Sequence, residues 1–249
     1  MNFVLSQESS GISTLMLNRG KVNALNGAAV DQLRAHLKRL ESDPEVRSII
    51  LTGFGKFFSF GFDIPEFLSF NKEQFVGYLE NFTDLYTYLF LYPKPVIAAL
   101  NGHTIAGGCM LALACDYRVM VTGKPRISLN EIGFGSSVFA GSTEMLRFWV
   151  GGGKATTILY SGAMYTAEEA KGLGLVHDVA TEEDHIVVAR KAASDLASKH
   201  SPAFASIKSL LRKPIADEML RRESESIREF AAIWYSEATW ANLKNIKIR

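Results

Sequence analysis

The sequence predicts an α/β fold followed by a mainly helical C-terminal region. In the first half of the chain, strand-like apolar runs alternate with segments of helical periodicity, which favours parallel strands joined by helical crossovers. Beyond about residue 140, strand signals become sparse and long helical patterns replace them. Hydrophobic residues form 47% and charged residues 21% of the 249-residue chain, which is the composition of a folded globular protein.

Each predicted element rests on its own pattern. Apolar residues alternate at 13–17, as in a strand, and the run Ile49-Ile50-Leu51 within residues 46–52 suggests a strand buried on both faces. Residues 95–100 and 116–121 are predicted as further strands, and residues 106–115 as a buried helix. The C-terminal region is predicted to hold three helices, over residues 182–200, 202–213 and 217–235. An amphipathic helix between the first two strands is predicted from Val30, Leu33, Leu37 and Leu40.

Charge and cysteine usage exclude several classes of function. Lys and Arg number 27 against 26 Asp and Glu, a net charge of +1, so no overall field attracts nucleic acid. Cys109 and Cys115 fit neither a redox pair nor a zinc-ligand spacing, and the five histidines are dispersed, so no metal site is expected. No leader pattern or apolar run of about 18 residues is present. These features predict a soluble, cytoplasmic protein without a nucleic-acid or membrane partner.

The cofactor-binding signatures in the chain are incomplete. Residues 151–154 form a glycine-rich run ending in lysine, but they lack the spacing of a phosphate-binding P-loop. The turns that begin at Gly53 and Gly133 start like a dinucleotide fingerprint and lack its third glycine. A nicotinamide-dependent dehydrogenase is therefore only a remote alternative.

Two glycine turns carry the strongest chemical signal. Residues 57–63 and 102–108 each follow a predicted strand. Gly107 and Gly108 also open the predicted buried helix, so their free N–H groups carry the positive end of its dipole. Two backbone N–H groups aimed at one place form an oxyanion hole, which stabilises developing negative charge. The alternative is that these glycines only permit tight turns and close packing.

Four motifs follow one another along residues 1–180. They are Asn18-Arg19-Gly20-Lys21-Val22-Asn23-Ala24-Leu25-Asn26, Phe58-Ser59-Phe60-Gly61-Phe62-Asp63, Pro95-Val96-Ile97-Ala98-Ala99-Leu100-Asn101-Gly102, and Ala106-Gly107-Gly108-Cys109 with Cys115-Asp116-Tyr117-Arg118. Four ordered motifs are more specific than any one of them. In this order they resemble the motifs of the crotonase (enoyl-CoA hydratase/isomerase) superfamily. The resemblance implies a crotonase-like spiral of β-β-α repeats that binds an acyl-CoA thioester.

The resemblance also implies residue roles. The backbone N–H groups of Phe62 and Gly107 would form the oxyanion hole, and Lys21 or Lys56 would meet the CoA phosphates. Residues 1–195 would form the spiral core with the CoA-thioester site, and residues 196–249 a helical region that covers the site and contributes to a homotrimer or a dimer of trimers. No cofactor is implied, because CoA is part of the substrate. The implied substrate-binding residues are Lys21, Val22, Ala24, Ser59, Phe60, Gly61, Asp63, Gly108 and Met110.

One departure from the hydratase pattern decides the predicted chemistry. Hydratases of the superfamily hold water between two glutamates, and this sequence has Met110 at the first position and Glu131 at the second. Because a thioether can neither donate nor accept the required proton, two-glutamate hydration is not expected. The Gly-Gly-Cys-Met turn with Leu-Asn-Glu resembles the single-glutamate Δ3,Δ2-enoyl-CoA isomerases, which implies that Glu131 is both base and acid. Burial beside Ile132, Phe134 and Met110 is expected to raise its pKa toward neutrality.

Other functions stay open at the level of sequence. One is a different crotonase-type reaction, such as hydration assisted by Glu144, dienoyl isomerisation or thioester hydrolysis. Another is a non-catalytic acyl-CoA binding protein that keeps the glycine turns and has lost the chemistry. The length and branching of the acyl chain are not predicted, since the pocket walls come from helix packing.

Overall fold

Repeated β-β-α units form the body of the protein in the computed structural model, which describes residues 3–245. In three successive units, the first strand joins a six-stranded sheet and the second joins a three-stranded sheet. The large sheet has, in spatial order, β1 (Val4–Ser9), β2 (Ile12–Leu17), β3 (Ser48–Gly53), β5 (Val96–Leu100), β7 (Tyr117–Val121) and β9 (Asp178–Ala180). The small sheet has β4 (Phe57–Ser59), β6 (His103–Ile105) and β8 (Ile127–Ser128).

Strand pairing accounts for the apolar runs and places the loops. β1 and β2 form an antiparallel hairpin, and the other neighbouring pairs of both sheets are parallel. β3 and β5 are buried along their whole length, which accounts for the apolar runs Ile49–Leu51 and Val96–Leu100, and the predicted strands are confirmed. The carboxyl ends of β4, β6 and β8 share one edge of the small sheet, so the segments that follow them emerge together.

Helices pack around both sheets, and a short 3-10 helix, Glu131–Phe134, follows β8; we call it the Glu131 turn. The predicted helices at Val30–Leu40 and at the second glycine turn are confirmed, whereas the long α3 was not predicted. The described helices are α1 (Gly27–Ser42), α2 (Ile64–Phe67), α3 (Lys72–Leu91), α4 (Gly107–Ala114), α5 (Ala140–Val150), α6 (Gly152–Ser161), α7 (Ala167–Leu173), α8 (His185–Ala197), α9 (Ser201–Trp234) and α10 (Glu237–Asn245).

The prediction of separate helices over residues 202–213 and 217–235 is wrong, because α9 is continuous across both. Pro214 lies inside α9 and cannot donate the usual backbone hydrogen bond. Both Pro214 and Leu210, whose carbonyl loses that partner, are exposed, so water can satisfy the freed group. On the opposite face Arg212 and Ala216 are buried, and their packing continues through the proline. Tertiary contacts therefore override the local break.

The C-terminal helices are attached closely to the spiral. α9 packs against α3 and α5, and α8 packs against β3, β5 and β7 of the large sheet. The predicted division between residues 1–195 and 196–249 falls inside α8, and residues 1–2 and 246–249 of those ranges lie outside the described part of the chain. No helix within residues 3–245 has the length and apolar character to cross a membrane.

Candidate active site

A mainly apolar cavity of about 360 Å³ opens where the small sheet ends. Segments that follow β4, β6 and β8 form one side of it, and the end of α9 forms another. Glu131 is the only ionisable side chain in the lining among the described residues. A single carboxylate is a poor donor set for a metal ion and a suitable one for proton transfer. The lining residues are Phe60, Phe62, Ile64, Ile105, Ala106, Gly107, Met110, Asn130, Glu131, Gly133, Phe134, Gly162, Met164, Phe230 and Trp234.

Glu131 is an unpaired acid in this cavity. Its side chain is 3% exposed, and neither carboxylate oxygen has a hydrogen-bond partner in the described chain. Burial raises the pKa of the Glu131 carboxyl from 4.5 to about 8, because the charged form loses its hydration. The backbone of the Glu131 turn is held by its own bonds, such as Ser136 N–H to the Glu131 carbonyl at 2.9 Å. The side chain is therefore left available to a bound molecule.

The Phe62 N–H points away from its neighbouring strand segment. Leu25 pairs with Phe62 in an isolated parallel bridge. In that bridge Leu25 N–H donates to the Gly61 carbonyl at 2.7 Å, and Asp63 N–H donates to the Leu25 carbonyl at 3.1 Å. The Phe62 N–H takes no part, and it donates to no protein group among residues 3–245. It is one free donor at the cavity wall.

The Gly107 N–H is a second free donor. Gly107 is the first residue of α4, so its N–H has no intrahelical acceptor and carries the positive end of the helix dipole. Ala106 precedes it with φ +51° and ψ −121°, a conformation that costs a non-glycine residue about 1–3 kcal/mol. A Cβ built on Gly61 would lie 2.9 Å from the Gly107 nitrogen, so the two loops are in close contact. Both donors thus border one cavity.

Gly108 has a packing role. A Cβ at this position would lie 2.5 Å from the Ser59 carbonyl oxygen, which is a backbone atom and cannot move aside cheaply. Gly108 therefore allows α4 to approach the end of β4 closely. This is the close-packing role that the sequence analysis gave as the alternative to an oxyanion hole. It does not line the cavity.

Of the three predicted neighbours of Glu131, two line the cavity and one does not. Met110 is 1% exposed and lines the cavity together with Phe134. Ile132 is 50% exposed and packs toward Gly162, so the expectation that it desolvates Glu131 is wrong. In a tight 3-10 turn consecutive side chains point in different directions, and only some of them face the cavity.

Glu144, the predicted replacement for a second catalytic carboxylate, lies elsewhere. Its Oε1 pairs with Arg222 at 2.8 Å and with Arg147 at 3.2 Å, and the residue does not line the cavity. The pair with Arg222 joins α5 to α9, and the pair with Arg147 lies within α5. Glu144 is thus occupied by two guanidinium groups, in contrast to the unpaired Glu131.

Among the predicted substrate-binding residues, Phe60 and Met110 line the cavity. Ser59 is completely buried; its hydroxyl donates to the Asn23 carbonyl at 2.8 Å and accepts from Gly61 N–H at 3.1 Å. Asp63 pairs with Arg19 at 2.5 Å and accepts from Glu66 N–H at 3.2 Å at the start of α2. Ser59 and Asp63 therefore hold the loop in shape. Outside the lining lie Lys21, Val22, Ala24, Ser59, Gly61, Asp63 and Gly108.

Several cavity residues escaped the sequence analysis. Phe230 and Trp234, near the end of α9, close the cavity from the C-terminal region. Their helical spacing matches any buried helix face, so no local signal marked them. Asn130 directly precedes Glu131, and its Oδ1 is a buried acceptor without a partner.

A family model described as enoyl-CoA hydratase/isomerase matches residues 7–237. The chain belongs to the enoyl-CoA hydratase/isomerase family. This membership agrees with the spiral of β-β-α units and with the position of the cavity at the end of the small sheet.

Relatives in the enoyl-CoA hydratase/isomerase family include both hydratases and isomerases. A probable enoyl-CoA hydratase of Bacillus subtilis is 33% identical over 85% of this chain and 82% of its own length. The mitochondrial enoyl-CoA delta isomerase 1 of Mus musculus is 29% identical over 92% of this chain and 80% of its own length. The crystal structure of the human mitochondrial Δ3-Δ2-enoyl-CoA isomerase superposes with a TM-score of 0.93 at 26% identity, covering 98% of this chain and 96% of that one.

Proposed function

We propose that this protein moves the double bond of an enoyl-CoA from C3 to C2, with Glu131 as the only acid and base. The observation that carries the proposal is a single buried carboxylate without a partner, in an apolar cavity bordered by two free backbone N–H groups. Similarity to the mouse and human isomerases supports it.

The reaction begins with removal of a proton from C2 of the 3-enoyl thioester. The Glu131 carboxylate takes this proton, and the electrons of the C2–H bond form the dienolate. Its negative charge gathers on the thioester oxygen, where the N–H groups of Phe62 and Gly107 stabilise it. Glu131 then returns the proton to C4, the C2–C3 double bond forms and the thioester carbonyl is restored. The net change is a proton shift without gain or loss of water.

The environment of Glu131 suits both halves of this cycle. A carboxyl group whose pKa is raised to about 8 is a stronger base when ionised than an exposed glutamate. After accepting the proton it is still acidic enough to return it. Removal of one oxyanion donor typically costs about 10²- to 10³-fold in rate, so the two N–H groups carry a large share of the proposed catalysis.

Hydration is the second candidate, because similarity to hydratases such as the B. subtilis relative is of the same order as similarity to isomerases. Addition of water across the double bond calls for one group to activate water and one to protonate C2. The cavity offers Glu131 and the thioether of Met110, and Glu144 is paired with arginines outside it. This donor set favours isomerisation.

The proposal extends to partners and location. The chemistry moves one proton and calls for no cofactor beyond the CoA of the substrate. Lys21, which is exposed beside the first loop, is proposed to meet a CoA phosphate. We also propose a cytoplasmic location and assembly as a homotrimer or a dimer of trimers.

The test is incubation of purified protein with a 3-enoyl-CoA and, separately, a 2-enoyl-CoA. We expect conversion of the 3-enoyl to the 2-enoyl isomer, seen as conjugated-thioester absorbance without a change in mass. Glu131→Gln should lower kcat by about 10²- to 10⁴-fold, since the acid–base group is removed. Glu144→Gln is the matched control and should keep kcat close to that of the wild type.

Two results would contradict the proposal. Addition of one water to the 2-enoyl-CoA, faster than any isomerisation, would identify a hydratase. Tight acyl-CoA binding without turnover, unaffected by Glu131→Gln, would identify a binding protein.

A further inference from the structure

The Glu131 turn is held by a helix from the far end of the chain. The hydroxyl of Thr239, on α10, donates to the Gly135 carbonyl at 2.5 Å. The side-chain amide of Asn242, one turn later on α10, donates to the Phe134 carbonyl at 3.2 Å. Thr239 is 2% exposed, so its bond is shielded from water. The carbonyls at the end of the turn thus have hydrogen-bond donors about 100 residues away in sequence. No local sequence pattern could have predicted these donors.

The backbone at Gly135 is shaped for this contact. Gly135 ends the turn in the left-handed region, with φ +81°, where glycine is favoured. A Cβ at this position would lie 3.3 Å from the Thr239 hydroxyl oxygen and 3.5 Å from the Asn242 amide nitrogen. The absence of a side chain therefore allows α10 to approach the main chain directly.

The two sides of the turn are anchored differently. On the N-terminal side, β8 is paired with β6, and the Ser128 carbonyl accepts from Ala106 N–H at 2.9 Å. On the C-terminal side, residues 131–138 accept two hydrogen bonds from α10. These are their only hydrogen bonds to another element in the described chain. α10 itself is fixed by the buried Leu243. Without the α10 contacts, the chain that follows Glu131 would have no hydrogen bond to another described element until the start of α5, where Ala140 N–H donates to the Ser226 hydroxyl at 3.0 Å.

We propose that Thr239 is a positioning residue, whose hydrogen bond to Gly135 keeps Glu131 directed into the cavity and shielded from water. This inference rests on the proposed function for its catalytic consequence. Phe134, whose carbonyl is held by the neighbouring Asn242, is also a wall of the cavity. Two neighbouring contacts from α10 therefore hold the end of the turn that carries Glu131 and one of the apolar groups of the cavity.

Few ionisable groups of the described chain lie near Glu131, so its pKa reports mainly on how well its carboxyl group is hydrated. From α4, the thiol of Cys109 faces it; burial, with a contribution from Glu131, raises the pKa of that thiol far above neutrality, so it stays uncharged. α9 and the β4 loop present Phe230, Trp234 and Phe62 to the same cavity. On α10, Glu237 and Lys244 are exposed. Hydration therefore controls the pKa of Glu131, and a loosened turn should lower it.

The experiment replaces the Thr239 hydroxyl by a methyl group of similar shape. We expect Thr239→Val to lower kcat about tenfold with little change in KM, because small misplacement of a catalytic group is costly. The acid limb of the kcat/KM profile should move to lower pH by about one unit or more. Carboxyl-carbon NMR of Glu131, assigned with Glu131→Gln, measures the same pKa without substrate. Thr239→Ser keeps the hydroxyl and should restore both values.

Thr52→Val is the matched control. It removes another buried threonine hydroxyl, which donates to the Ala99 carbonyl at 2.8 Å in the large sheet, outside the cavity lining. It should lower stability without moving the pKa of Glu131. An unchanged pKa and kcat in Thr239→Val, or an equal shift in Thr52→Val, would overturn the inference. Inactive wild-type protein with a lowered Glu131 pKa in Thr239→Val would refute the proposed reaction and support the positioning role.

Discussion

Two acids that are largely shielded from water, Asp116 and Glu131, have opposite surroundings; the Asp116 side chain is 10% exposed and Glu131 is 3% exposed. Asp116 pairs with Lys208 at 2.8 Å and Arg212 at 3.0 Å, and its Oδ2 also accepts from Val96 N–H at 2.8 Å. Glu131 has no partner for either oxygen in the described chain. The Asp116 region joins α9 to the strands of the large sheet, whereas the Glu131 region surrounds a cavity.

The contrast shows two ways in which a carboxylate is buried: with ion-pair partners that stabilise the fold, and without any partner beside a cavity. A buried charge is tolerated when ion pairs and hydrogen bonds replace its hydration, as at Asp116. An unpaired buried carboxyl destabilises the folded state whenever it is ionised. The fold tolerates this cost at Glu131, where an incoming proton is the missing partner. Glu131 is accordingly the position at which stability and activity should oppose each other.

The largest expected effect concerns the pH dependence of stability. The pKa of Glu131 is raised in the folded state, so the folded protein binds the proton more tightly and loses stability as pH rises from 4.5 to about 8. Glu131→Gln removes this dependence. The variant should gain on the order of 5 kcal/mol in unfolding free energy relative to wild type between acidic pH and about pH 9.

Urea unfolding of both proteins across that pH range measures the difference. Glu229→Gln, at an exposed position of α9, should follow the wild-type curve throughout. Parallel curves for wild type and Glu131→Gln would show that Glu131 is hydrated in the folded protein. In active protein, kcat/KM should rise with pH over the same range, since the base must be ionised.

A second effect, of about 3–5 kcal/mol, is expected at the paired acid. Asp116→Asn leaves Lys208 and Arg212 buried without a counter-charge, so the unfolding free energy should fall by that amount at neutral pH. Burial already lowers the pKa of Lys208 to about 8, and loss of Asp116 should lower it further. Asp217→Asn, which breaks an exposed pair with Lys213, should change stability by less than about 0.5 kcal/mol. Equal effects in both variants would remove the distinction between buried and exposed pairs.

The smallest effect on stability is expected at a third acid, Glu223, which has hydrogen-bond donors as partners. Glu223 accepts from the Tyr86 hydroxyl at 2.6 Å and from Gly141 N–H at 2.7 Å. Tyr86→Phe removes one of these donors, and we expect a loss of roughly 1.5–3 kcal/mol by thermal unfolding. Phe82→Leu, which changes the neighbouring aromatic packing without touching the carboxylate, serves as the comparison. A neutral Tyr86→Phe would indicate that water replaces the hydroxyl.

Much of the fold was predictable because its signals are local. The continuous apolar runs of β3 and β5 and the small-residue opening of α4 are properties of neighbouring residues in sequence. The short strands β6 and β8 were not individually predicted, since two or three residues carry no periodicity. The expected break in α9 was wrong, because burial of the opposite helix face outweighs one lost hydrogen bond.

The residues of the candidate site also fall into two groups, those with local sequence signals and those without. Phe62, Gly107 and Glu131 were predicted from motifs and resemblance, and the structure brings all three to one cavity. Trp234 and Thr239 act over large separations in sequence, so no pattern marked them. Ile132 was misjudged because a 3-10 turn redirects adjacent side chains. Whether the remaining residues of the first loop contact CoA stays a prediction.

The donors of the cavity belong to the main chain. A substitution at Phe62 changes a ring and leaves its N–H in place, and Gly107 keeps its N–H whatever follows it along α4. Side-chain substitutions around this point can therefore change the acids and bases of the cavity without removing its two N–H donors. Under the proposed function, the carbonyl oxygen of the substrate would keep the same binding point while the proton chemistry beside it changes.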